Sequence, residues 1–423
     1  MKIAQPICLA TMLAAASHAA MPATLDADPE TYRPIVRQLR PGDVLRLQPG
    51  RYDHGLRLHD LHGAPGEPIV IEGSAGSAPT VFVGRTGRNT VSLVNASHIE
   101  IRNLVLDGGG LEVDAVRAER RNTLVHHIVL ENLTIVRHGP EQQTVAISTA
   151  APTAFWTIRN NVIVGAGTGL YLGNPDGTAP FVAGVIEGNV IVDTTGYNLQ
   201  IKHQGPRPML QGMPTRASQT IIRGNVLRKS ESSSTGPMAR PNVLLGHFPL
   251  DGPGSEDTYR VEQNVFYGNP TEALLQAEGN ITIEGNLFLN PLGDGISFQP
   301  HHDVPRRVEM TRNFVAVKGF GVRLLGAHPS YKQAAEGNDV RGAPPFVGLA
   351  GRNTTGMPDD ASDAVVRWLR SGSTAPADNK ESALVKALGR ACGLERMPGA
   401  NGSVSRVIPA TDSACAAVSR GKP

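Results

Sequence analysis

Cysteine is almost missing from this chain, 3 in 423 residues, which leaves no basis for a thiol-based metal or catalytic centre. Aromatic residues are only 4%, so no surface lined with many sugar-stacking or base-stacking rings is expected. The formal net charge is only +2 and there are no runs of Lys or Arg, so the footprint of a nucleic-acid binder is absent. No apolar stretch reaches the roughly eighteen residues of a membrane-spanning helix, and no membrane span is expected. The central repeats also lack helical periodicity, which argues against helical arrays and leucine-rich horseshoes.

What is abundant is turn chemistry, with Gly 47 and Pro 32, and a repeat. Between Ile99 and Asn313 a short β-branched strand, an asparagine and a second short apolar strand recur eight times. The asparagines are Asn103, Asn132, Asn161, Asn189, Asn225, Asn264, Asn286 and Asn313, spaced 29, 29, 28, 36, 39, 22 and 27 residues apart. Repeats of this length build solenoids, in which each unit buries its apolar edge against its neighbours. Short strands and sharp turns predict an all-β fold, a parallel β-helix. Asparagine suits its corners because it tolerates a left-handed bend and its amide can bond to the coils above and below. These asparagines are read as scaffold.

The ends differ from the middle. Residues 1–20, with Lys2, an apolar stretch and Ser17-His18-Ala19, read as a secretory signal, so a periplasmic or secreted protein is expected. Cys8 would leave with it. The pair that remains, Cys392 and Cys415, is expected to form a disulfide closing the tail. The segment around Ile35 to Leu39 reads as an amphipathic cap over the first coil, because an uncovered end would expose a strand edge. The β-helix is expected over 21–350 and a helical C-terminal cap or tail over 351–423. A monomer is expected.

A second strand follows each asparagine corner, and alternation places Leu170/Leu172, Leu199/Ile201, Val243/Leu245, Ile296/Phe298 and Val322/Leu324 inside. Tyr171, Gln200, Leu244, Ser297 and Arg323 then face outward. The two long intervals carry insertions at 205–218 and 230–241, expected on one side of the solenoid, where they would shape a binding face.

Chemistry concentrates there. Lys202 and His203 end one strand, Arg240, Asn242 and His247 belong to the next coil, and Gln299, His301, His302 and Arg323 follow. Coils stack roughly 4.8 Å apart, so these groups can converge on one sugar. A groove of Lys, Arg, His and amides suits an acidic polysaccharide. β-Elimination needs the uronate carboxylate neutralised, a base for the C5 proton and an acid for the leaving oxygen. Lys202 is the expected base, since burial among cations depresses a lysine pKa. His247 or Arg240 would neutralise the carboxylate or donate the proton. Tyr171, Gln200, His203, Asn242, Gln299, His301, His302 and Arg323 are the expected substrate contacts. No metal site is read: His301, His302 and Asp303 lack a fourth partner for zinc, and the groove carboxylates Glu272, Glu278 and Asp294 are few for calcium.

On two stretches the chain resembles the pectate-lyase-like right-handed β-helix superfamily, nearest to the chondroitinase B/alginate lyase family of polysaccharide lyases. The entrance LRPGDVLRLQPGRYDHGLRL…GEPIVIEGS is similar to that family's opening, over about fifty residues. NLQIKHQ is similar to its Ile-Ser-x-Lys-Ser segment, which would place the catalytic lysine at Lys202. The following coil resembles one ending in Arg-His-Gly. Its arginine position falls near Leu245 or Gly246, so only His247 carries over and Arg240 would have to substitute. The family's calcium-binding glutamate falls at Asn198, so calcium stays open as a cofactor. The resemblance implies β-eliminative cleavage of a uronate polymer. A glycoside hydrolase, a C5-epimerase and a non-catalytic carbohydrate-binding β-helix remain alternatives.

Overall fold

The computed structural model describes residues 21–358 apart from 140 and 232. The signal segment and most of the tail, with Cys392 and Cys415, lie outside the described residues.

The chain winds as a right-handed parallel β-helix, in which every ladder between neighbouring coils is parallel and in register. A typical coil holds three short strands, such as Thr168–Leu172, Val185–Glu187 and Val190–Val192. The first strands of successive coils stack as Val116–Ala118, Val145–Thr149, Thr168–Leu172, Leu199–Ile201, Val243–Leu245, Leu275–Ala277, Ile296–Phe298 and Val322–Leu324. Their inward residues form two columns. Leu170, Leu199, Val243, Leu275, Ile296 and Val322 make one, Leu172, Ile201, Leu245, Ala277, Phe298 and Leu324 the other, and all are buried. The alternation expected from the sequence therefore holds. Burial comes from like-on-like stacking along the axis, and Phe266 on Phe288 shows it plainly, with centroids 4.3 Å apart and planes 12° from parallel.

The asparagine repeat resolves into two positions. Asn161, Asn189, Asn225, Asn264, Asn286, Asn313 and Asn338 form one buried column that continues to Asn353. Each Nδ2 donates to the next Oδ1, and each backbone N–H does the same, as with Asn225 on Asn264 at 2.9 Å for both bonds. Asn103 and Asn132 do not belong to it. They sit one position earlier, at left-handed corners with φ of 59° and 52°, and Leu104 and Leu133 fill the inner position of their coils. In the later coils the left-handed corner belongs to the residue just before the column, such as Gly188, Gly224, Gln263 and Arg312. Bending and amide bonding are thus divided between adjacent residues.

Helix α1 (Tyr32–Val36) caps the first coils, slightly earlier than the sequence suggests. Its anchor is Tyr32, 1% exposed, packed edge-on against Tyr52 and Phe82 at 5.2 and 5.7 Å. At the other end the rungs continue past 350, to Thr354–Gly356 paired with Asp339–Arg341. The insertions do not share a side. The first (205–218) leaves the C-terminal end of Leu199–Ile201 and packs Met213 against Leu124, Ala154 and Val182. The second (230–241) enters the N-terminal end of Val243–Leu245. They flank the same face from opposite edges because one follows and the other precedes a strand of it.

Candidate active site

The parallel ladder extends one residue beyond each strand of this face. Lys202 N–H donates to Leu172 O, Gly246 N–H to Ile201 O and Glu278 N–H to Leu245 O. Gly173, Lys202, Gly246, Glu278 and Gln299 therefore occupy one rung position along the C-terminal edge. Lys202 lies between two glycines. A Cβ at Gly246 would stand 2.3 Å from His203 N, and one at Gly173 3.1 Å from Lys202 Cβ, so side chains there would crowd the lysine and its neighbour. Lys202 Nζ lies 5.8 Å from the Tyr171 ring centroid. Burial lowers its pKa below the ordinary lysine value, with nearby Glu278 opposing.

Four imidazoles gather beside it. His203 stacks on His302 with centroids 3.7 Å apart, His247 lies 5.7 Å from His203 and 5.6 Å from His302, and His301 lies 4.4 Å from His302. His247 Nδ1 faces Phe248 O at 2.5 Å, which assigns the proton to Nδ1 and leaves the Nε2 lone pair free. Burial, followed by the charges of His302 and Lys202, drives His203 down to about 4. His302 is lowered for the same first reason. Glu278, 3% exposed, accepts the backbone N–H of His302 at 2.9 Å. Burial raises its pKa, so the carboxyl is biased toward holding a proton. Glu278 joins the cluster, although the sequence marks it only as one of several groove carboxylates with no assigned role. Its signal was positional, since it falls one residue after ALLQA's buried strand, as Lys202 does after its own.

Other expected residues fall elsewhere. Arg240 is not beside Lys202. It precedes its strand while Lys202 follows one, and in a parallel in-register sheet those are opposite edges. Its guanidinium donates to Ala239 O at 2.5 Å and Pro237 O at 3.2 Å. Gly246 holds the place nearest the expected arginine, so the cluster carries no arginine on that rung. Asn242 is fully buried. Its Nδ2 donates to Leu227 O and Gly268 O and its Oδ1 accepts from Asn269, which makes it part of a second scaffold column rather than a sugar contact. Asn198 is likewise buried, its Nδ2 on Thr194 and Arg228 O.

The outward row runs Tyr171, Gln200, Leu244, Gln276, Ser297, Arg323 in register. Gln200 faces out but is only 3% exposed, and its Oε1 has no protein partner among the described residues. Arg323 lies over the Phe320 ring at 4.2 Å and donates to Ser297 Oγ, with Gln299 Oε1 at 3.4 Å. Tyr171, Gln299 and Arg323 thus share an accessible face with Lys202, while His301 and His302 are exposed at its edge. Among the described residues no set of oxygen ligands for calcium assembles at this edge: Asp303 pairs with Arg306 at 3.3 Å and Glu278 is held by backbone. A cavity of about 350 Å³ lies away from this face, at the N-terminal cap between Tyr32, Arg33, Arg57 and Arg85.

No family model matches the sequence, and no curated protein matches it. Solved structures do match in fold. A GH136 lacto-N-biosidase from Eubacterium ramulus aligns at 12% identity and TM-score 0.51, covering 79% of this chain and 68% of that one. An alginate lyase from a Paenibacillus strain aligns at 14% and 0.43, covering 80% and 99%. A mannuronic-acid-specific family 6 polysaccharide lyase from human gut microbiota aligns at 11% and 0.45, covering 86% and 90%. At such identities the likeness shows the fold alone, a parallel β-helix.

Proposed function

We propose that the face bearing Tyr171, Gln299 and Arg323 binds an acidic polysaccharide and that the Lys202 cluster cleaves it by β-elimination. The observation that carries this reading is the convergence of a half-buried, pKa-lowered Lys202 with His203, His247 and His302 at one strand edge.

The chemistry follows from the groups present. Neutral Lys202 Nζ takes the C5 proton, and the electron pair left on C5 forms the C4–C5 double bond as the C4–O bond breaks. The leaving oxygen takes a proton from Glu278, whose carboxyl burial biases toward the protonated form. With no arginine on the rung, Arg323 on the same face is the cation for the carboxylate. Incubation with alginate, pectate and glycosaminoglycans tests the reading. An unsaturated uronate absorbing in the ultraviolet supports it, and its absence with every uronate polymer counts against it. New reducing ends without that absorbance would favour hydrolysis with Glu278 as acid, and a changed epimer ratio without shortening would favour the epimerase. Export of the protein and its action as a monomer belong to the same proposal.

A further inference from the structure

A second cluster of imidazoles sits on earlier coils, apart from the groove residues. His98 lies in the strand Val91–Arg102 and His126 and His127 in Val125–Glu131. His126 pairs with Ser97, so His127 falls directly over His98. Both have left-handed backbone, with φ of 52° and 53°, and the bend turns both rings out at the same corner. They stack with centroids 4.3 Å apart and planes 16° from parallel. The ring of His126 stands nearly perpendicular to both, and its Nδ1 faces the Nδ1 of His127 at 2.7 Å. One coordinating nitrogen from each residue can be chosen so that all lie within 4.8 Å of one another.

We propose that His98, His126 and His127 form a binding site for one divalent transition-metal ion of the zinc class. Stacking alone explains part of the corner: the column continues from His98 and His127 to Phe155, 4.7 Å further on, and a phenyl ring binds no metal. It does not explain His126, which lies outside the column and points a nitrogen at His127. Zinc binds imidazole nitrogen at about 2.0–2.1 Å, so three ligands stand about 3.4 Å apart, a separation small ring rotations reach from here. An all-imidazole set selects borderline metals over calcium or magnesium, which want oxygen. On one side the site is bounded by the 205–218 insertion, where a Cβ at Gly212 would stand 3.9 Å from His126 Nε2. His127 is exposed, which leaves a fourth coordination position to water.

The test uses the full chain freed of metal by chelator and titrated at pH 7.5 with zinc chloride by calorimetry and with cobalt chloride by visible absorption. The proposal expects one ion per chain with micromolar or tighter affinity and a tetrahedral cobalt spectrum. It expects binding at least roughly tenfold weaker in His98→Gln, His126→Gln and His127→Gln chains whose circular dichroism is unchanged. His302→Gln, in the other imidazole cluster, should bind as the parent does. No saturable binding, or binding that survives the first three changes or disappears with His302→Gln, would overturn it. Should His126→Gln fail to fold, the exposed His127 gives the same answer.

Discussion

At the residue scale the proposed activity rests on how Lys202 is held. Burial lowers its pKa from the ordinary lysine value, so its neutral fraction at mildly alkaline pH is larger than a surface lysine's. If Lys202 is the base and Glu278 the acid, kcat/KM on a responsive uronate polymer falls on both sides of an intermediate pH range, because the step needs the amine deprotonated and the carboxyl protonated. A profile that rises without a fall up to the ordinary lysine value of 10.5 would exclude Glu278 as the acid. The placement of Lys202 and His247 was legible because they follow, by one and two residues, strands whose alternation is unambiguous. Arg240 and Asn242 were misplaced because residue number alone does not say on which edge of a three-residue strand a flanking side chain emerges. The three-histidine corner also had a signal: His98 and His127 are 29 residues apart, the spacing of Asn103 and Asn132 on the same two coils.

At the scale of the coil, the asparagine column ties each turn to the next. Asn225 is fully buried, donates to Ile186 O and Asn264 Oδ1, and accepts from both the backbone and the side-chain amide of Asn189. Asn225→Ala leaves those partners unpaired in the interior, at about 1–3 kcal/mol for each group. A loss of at least about 3 kcal/mol is expected from the urea midpoint, with the slope unchanged. The same change at Asn132, an exposed corner, should cost far less, and equal losses would contradict the two-position account. The repeat was readable from sequence because a period near 28 survives the insertions. The split between corner and column was not, since both positions favour asparagine and Leu104 or Leu133 looks like ordinary strand.

For the molecule as a whole, a solenoid has little besides nearest-neighbour packing, so buried histidines report on the entire fold. His138 is fully buried with Nδ1 on Val113 O, and burial lowers its pKa; His203 is held at about 4. The unfolded chain takes up protons near the ordinary histidine value of 6.5, while the folded chain refuses them until lower pH. Stability therefore falls as pH drops from about 6.5 toward 4. A melting temperature flat across that window would mean the rings are solvated. The architecture was legible in outline, from turn-rich composition and repeat length. The cap was placed a few residues late because its anchor, Tyr32, precedes the apolar stretch that marks the helix.

The central claim is that Lys202, and not the distant Arg240, works on the bound polymer. The most direct measurement compares kcat/KM of the parent, Lys202→Ala and Arg240→Ala chains on one uronate polymer, followed by the ultraviolet absorbance of the new double bond. The account predicts loss of at least about a hundredfold for Lys202→Ala, the low end for removing a general base. Arg240→Ala should stay within a few-fold of the parent. A Lys202→Ala chain that is folded and still as active as the parent would contradict it.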